Sequence, residues 1–249
     1  MMYRKLILLL GLTIAGCSTP SRVTPAAPTS TPAPPPAETQ TRTTPSPTAE
    51  ITPALASPPP GVEIIFDGSG GRNLTGTMYG EGETAVLLAN MSIGGEKQWD
   101  PFVAAVDKQK FTTVTFNYRD TDNVGPDLDL ILGWLKEEGF DRVICIGASL
   151  GTRACTSIAL EPQIAGIVLI AGSVHHASVA QATYPKLFIS GALDRWAFDI
   201  QTGYQQAAGP KELVLFEENR LHGTDLFSSK DAAAFLTLLI DFLDSLAIP

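Results

Sequence analysis

The sequence predicts an α/β fold, a mostly parallel central sheet with helices on both faces, over residues 61–249. Three observations predict it. From Gly61 onward, short apolar or β-branched runs alternate with stretches that suit helices, the signature of strand–helix repeats. Ala85-Val86-Leu87-Leu88 and the run from Ile164 to Ala171 are apolar at nearly every position, as strands covered on both faces are. Finally, Arg142-Val143-Ile144-Cys145-Ile146 passes through Gly147-Ala148-Ser149-Leu150-Gly151 straight into a helix-compatible stretch. Ser149 therefore sits on a tight strand-to-helix turn. Gly147 and Gly151 flank it because so sharp a turn presses neighbouring backbones together and leaves no room for a Cβ.

Taken in order, Val62 to Phe66 and Leu74 to Tyr79 read as two strands joined by Asp67-Gly68-Ser69-Gly70-Gly71, a hairpin-like start. Ala85 to Leu88 is a buried strand. Trp99 to Gln109 suits a first helix, with Pro101 tolerated in its opening turn. Thr112 to Phe116 is the next strand. Leu128, Ile131, Leu132 and Leu135 recur at helical spacing over Asp127 to Glu138, which Gly139 ends. The strand and helix around Ser149 follow, then strands at Ile164 to Ala171, Lys186 to Ser190 and Glu212 to Phe216. Phe235, Leu238, Leu239, Phe242, Leu243 and Leu246 give the last helix a continuous apolar stripe.

The first 60 residues differ in kind. Arg4 and Lys5 precede an apolar run from Leu6 to Ala15 that is too short to span a bilayer comfortably, and Gly16-Cys17 follows. Ile14-Ala15-Gly16-Cys17 resembles a bacterial lipobox. That resemblance implies a signal peptide over 1–16 and a lipidated Cys17 that anchors the chain to a membrane, facing the extracellular or periplasmic side. An ordinary secretory signal with an incidental cysteine is the alternative. Residues 17–60 are almost entirely Pro, Thr, Ser and Ala, too poor in apolar surface to offset ordering entropy, so an extended tether is expected. The net charge of −9 comes without any basic cluster, which excludes nucleic acid as an expected partner and leaves membrane attachment to the lipid alone. Cys145 and Cys155 are expected as two buried free thiols, because a strand and a helix pack with their axes about 10 Å apart while a disulfide holds Cα atoms within about 7 Å; a bridge between them is the alternative in an exported chain.

The Gly147-x-Ser149-x-Gly151 turn resembles the nucleophile elbow of the α/β-hydrolase fold family, and the order of elements extends that resemblance over nearly all of 61–249. In that family a nucleophile, an acid and a histidine follow in that chain order on loops at the carboxyl ends of strands. Asp194 stands after the strand ending at Gly191, and His222 after the strand ending near Glu217. The resemblance thus implies Ser149 as nucleophile, His222 as base and Asp194 as the carboxylate that orients it. Such a pairing is needed because a serine hydroxyl is a poor nucleophile at neutral pH. It also implies two backbone donors for an oxyanion: the Leu150 amide, and one from Asn90-Met91-Ser92, where many relatives have His-Gly-x. The Ser92 amide is the expected donor, with Met91 as the fallback. Gln98-Trp99-Asp100-Pro101-Phe102 also looks like the family. Too few residues separate Gly172 from Lys186 for a lid domain, so an open cleft is expected, similar to small dienelactone-hydrolase-like and cutinase-like enzymes.

The implied activity is cleavage of a small or surface-displayed carboxylic ester through an acyl-enzyme. An acyltransferase using the same three residues, or a binding module that has lost catalysis, is the alternative. His175 and His176 precede every carboxylate on the following loop and would break the chain order. Asp199 and Asp225 are alternative acids, set further into their loops or helices. No cofactor is required, and no Cys/His spacing resembles a metal-ligand set.

Overall fold

The computed structural model describes residues 57–68 and 72–247. The signal, Cys17, nearly all of the tether and Ser69-Gly70-Gly71 of the first turn lie outside the described residues. Among the described residues, eight strands form one sheet in the order β1-β2-β4-β3-β5-β6-β7-β8. They are β1 (Val62–Phe66), β2 (Leu74–Tyr79), β3 (Thr84–Ala89), β4 (Phe111–Phe116), β5 (Val143–Ala148), β6 (Ile164–Ile170), β7 (Lys186–Gly191) and β8 (Lys211–Phe216). β2 pairs antiparallel with β1 and with β4, and every other pairing is parallel. The helices are α1 (Asp100–Ala105), α2 (Gly125–Glu137), α3 (Leu150–Ser157), α4 (His176–Gln181), α5 (Ala197–Gln206) and α6 (Ala232–Leu246).

The period of two along each strand divides the core into two layers. On β3, Ala85, Leu87 and Ala89 face the layer built with Leu128, Ile131 and Leu135 of α2. Val86 and Leu88 face the other, with Phe102 of α1 and Phe235, Leu239 and Leu243 of α6. Both faces are covered, which is why the central strands read as unbroken apolar runs. From β3 the chain crosses to β4 on one side, whereas β5 lies on the other. The loops leaving β3 and β5 therefore diverge and open a crevice at the carboxyl ends of these strands, where ligands of open α/β sheets bind.

Two expectations need correction. The first helix does not run from Trp99 to Gln109: a 3-10 turn over Glu96–Trp99 leads into α1, which stops at Ala105. Val106 is extended, with ψ 142°, and its buried side chain joins Trp99 and Phe102 in the core. β4 starts at Phe111, in register with Thr84, so residues 106–110 must carry the chain from helix to strand and cannot continue the helix.

Cys145 and Cys155 are joined by a disulfide with Cα atoms 5.8 Å apart, and are not free thiols. The spacing between axes is a poor guide here, because helical Cα atoms stand about 2.3 Å nearer the strand than the axis does. Gly147 closes the rest of the gap. A Cβ on it would lie 2.1 Å from the Gly151 carbonyl oxygen and 2.9 Å from Cys155 Sγ, so its lone hydrogen lets α3 settle directly onto β5. Cys145 and Cys155 fall in the same core layer, on facing surfaces of that contact.

Candidate active site

Ser149 caps the amino end of α3 with φ 55° and ψ −109°, a left-handed conformation that a side chain rarely adopts. Its surroundings impose it. The Ser149 N–H donates to Ile170 C=O at 2.8 Å, and Thr152 Oγ1 donates to the carbonyls of Gly147 at 3.2 Å and Ile170 at 3.1 Å. Gly151 lies so close to β3 that a Cβ would meet the Ala89 carbonyl oxygen at 2.0 Å, and one on Gly172 would meet the Ser149 carbonyl oxygen at 2.2 Å. Strain of this kind persists only where neighbouring structure over-determines it.

The other two residues arrive from the next strands. Asp194 follows β7 in a turn where its own Oδ1 accepts the Trp196 N–H at 2.6 Å. His222 follows β8. Asn219 ties the two loops together: its carbonyl accepts the Leu193 N–H at 2.9 Å, its Oδ1 accepts the Leu221 N–H at 2.8 Å, and its Nδ2 donates to Asp231 Oδ2 at 2.7 Å. The result is a continuous chain, with Asp194 Oδ2 2.8 Å from His222 Nδ1 and His222 Nε2 2.7 Å from Ser149 Oγ. A buried carboxylate only accepts, so Nδ1 carries the proton and the Nε2 lone pair receives the serine hydroxyl. Asp194 is enclosed while His222 keeps one edge toward the cleft, its side chain 25% exposed.

The loop after β3 faces this chain. Asn90 is buried beneath it, with Nδ2 donating to Phe116 C=O and its own carbonyl accepting from Tyr118 Oη at 3.3 Å. Burial, with Asp127 nearby, pushes the Tyr118 phenol far above its usual range and keeps it a donor. The Met91 N–H donates to Gln98 Oε1 at 3.0 Å. Among the described residues, neither Ser92 N–H nor Leu150 N–H has an acceptor. Ser149, His222, Ser92, Ile93, Arg195 and Phe227 are among the residues lining a cleft of about 610 Å³. Only α4, six residues long, occupies the connection between β6 and β7 where a lid would lie.

The residues weighed as rivals are engaged elsewhere. His175 Nδ1 is 2.6 Å from Ser178 Oγ, while Asp199 accepts the Val174 N–H at 2.7 Å and stands 3.6 Å from His176 Nε2. Asp225 lines the cleft but takes no part in the chain to Ser149. Gln98, Thr224 and Asn219 were not singled out by the sequence as site residues. Gln98 stands within a family-like stretch, but nothing in one-dimensional spacing says where its amide points. Glu218 at φ 56° and Gly223 at φ 55° bracket the His222 turn, and only the glycine offers a sequence signal.

No family model matches the sequence, and no curated protein matches it either. Solved structures do. The esterase domain of a Rhodothermus marinus protein superposes with a TM-score of 0.63 at 17% identity, covering 74% of this chain and 98% of that one. An esterase of Pyrococcus furiosus gives a TM-score of 0.63 at 12% identity, over 80% and 96%. A monoacylglycerol lipase of Paleococcus ferrophilus gives 0.62 at 13% identity, over 70% and 99%. Sheet order, the sharp turn at Ser149 and these superpositions agree that the chain has the α/β-hydrolase fold, without a lid.

Proposed function

We propose that this chain is a serine hydrolase that cleaves carboxylic esters through an acyl-enzyme, and that Cys17 carries a lipid holding it on the outer side of a membrane. The observation that carries the catalytic reading is the 2.7 Å contact between His222 Nε2 and Ser149 Oγ, backed by Asp194 at 2.8 Å. Ser149 Oγ attacks the ester carbonyl carbon as its proton passes to His222 Nε2. The carbonyl π electrons move onto oxygen, and the unoccupied N–H groups of Leu150 and Ser92 receive that charge. Collapse re-forms the carbonyl, breaks the bond to the alcohol oxygen and takes the proton from His222 to the leaving alkoxide. Water, deprotonated by His222, then releases the acid and restores Ser149. Asp194 keeps the ring in the tautomer that can accept, and offsets the charge of the imidazolium. Structural neighbours named as esterases and a lipase support the same chemistry. The lipid anchor is supported by the Ile14-Ala15-Gly16-Cys17 stretch.

A fluorophosphonate probe together with p-nitrophenyl esters of increasing chain length tests the reaction. Expected are labelling and turnover by the wild type, both lost in Ser149→Ala. A folded wild type that neither labels nor turns over any ester overturns the catalytic reading and leaves the binding module. Palmitate incorporation that disappears in Cys17→Ala tests the anchor, and incorporation unaffected by that change overturns it.

A further inference from the structure

The side chain of Gln98 makes four hydrogen bonds, all to the two loops that flank Ser149. Its Oε1 accepts the Met91 N–H at 3.0 Å and the Thr224 hydroxyl at 2.9 Å. Its Nε2 donates to the carbonyls of Gly95 at 2.5 Å and Ile93 at 3.4 Å. An amide has two acceptor sites and two hydrogens, so every one is used. The pedestal is rigid: the next residue, Trp99, is fully buried, with its ring 6.4 Å from Phe102 and 6.2 Å from Phe227. The loop it grips has little else. Among the described residues, 91–94 make no backbone–backbone hydrogen bond, Gly94 and Gly95 take φ 103° and 63°, and Ile93 is 82% exposed.

We infer that Gln98 is a positioning residue for the oxyanion site: it occupies the Met91 amide, thereby presenting the Ser92 amide beside that of Leu150, and through Thr224 it holds the His222 loop in register with them. The inference rests on the serine-hydrolase reading above. Of the three amides that could serve, Met91 is already bonded, while Ser92 and Leu150 are not. Thr224, two residues after His222, is buried and gives the same Oε1 its second donor. One side chain therefore sets the distance between the donors that receive the developing charge and the ring that moves the proton. Such donors act only if placed before the reaction, and a displacement of about 1 Å costs rate without weakening ground-state binding in proportion.

The test measures p-nitrophenyl butyrate turnover and inhibition by butylboronic acid, whose boron forms a tetrahedral adduct with the serine oxygen. Wild-type turnover that vanishes in Ser149→Ala comes first, and its absence overturns both readings. In Gln98→Leu, kcat is expected to fall about 30- to 100-fold with KM changed by less than about three-fold, short of the roughly 10²–10³ for outright loss of a donor. The boronate Ki should rise by the same factor as kcat/KM falls. Thr224→Val, which exchanges the hydroxyl for a methyl of similar size, should lose about five-fold in kcat, and Thr224→Ser, which keeps the hydroxyl, should stay close to wild type. An active wild type whose Gln98→Leu variant keeps kcat within about three-fold overturns this inference alone. So does a Ki that stays put while kcat falls, because Gln98 would then act outside the tetrahedral complex. Should Gln98→Leu not fold, the threonine pair decides, and equal kcat in Thr224→Val and wild type is the overturning result.

Discussion

The elbow and the loop over residues 91–95 face each other across Ser149 and are held in opposite ways. The elbow rides on β5, buried at all six positions, and is fixed by backbone contacts at Gly147, Gly151 and Gly172, two Thr152 hydrogen bonds and a disulfide. The loop is largely exposed, turns on two glycines and hangs from one glutamine. Ser149 holds a strained conformation that would relax in a softer setting, and redundancy is concentrated there. The opposite wall carries no non-glycine residue in such a conformation, and a few hydrogen bonds are enough to hold it.

That contrast can be broken at several points. The largest effect is expected where both walls meet the base. Asp194→Asn leaves the packing of either wall intact but offers Nδ1 a donor, favouring the wrong tautomer, and kcat should fall by about 10⁴. A steady-state assay checks it, and a loss below about tenfold would mean that the ring is held by other contacts. Next, the same methyl group distinguishes the two walls. Gly151→Ala drives a Cβ to within 2.0 Å of the Ala89 carbonyl oxygen, whereas at Gly94 the nearest atom is 3.5 Å away and only φ 103° resists. The first should cost more than about 4 kcal/mol and leave little folded protein, the second about 1–2 kcal/mol. Urea denaturation followed by circular dichroism separates them, and equal costs would erase the distinction between the walls. Below the Gly151 clash comes the disulfide. Opening the bond between Cys145 and Cys155, ten residues apart, should lower stability by about 2–3 kcal/mol and the melting temperature by roughly 5–10 °C, read by calorimetry with and without reductant.

Much of this molecule is legible in one dimension because its signals are local. Unbroken apolar runs announce strands covered on both faces, and eight strands lie close to where the pattern puts them. Gly147 and Gly151 announce a turn that only glycine permits. The chain order that the α/β-hydrolase resemblance implies picks out Ser149, Asp194 and His222, which the structure links through hydrogen bonds of 2.7 and 2.8 Å. The misses are equally physical. Continued helical character past Ala105 was overridden by the register of β4 with β3, a long-range constraint absent from any window of sequence. The disulfide overturns the favoured free thiols because an average spacing between layers is a poor stand-in for the real one, although the period of two already puts Cys145 on the face that α3 covers.

Composition, apolar periodicity and the spacing of glycines were sufficient to determine the α/β class and the sharp turn at Ser149, since each depends on steric or hydrophobic rules acting within a few residues, while Asp194 and His222 follow from the chain order that the α/β-hydrolase resemblance implies. Which loops face Ser149, which side chain grips the loop after β3 and which cysteines meet were decided only by the tertiary structure. Those outcomes depend on distances between segments many residues apart, and such distances exist only once the sheet has brought its loops together.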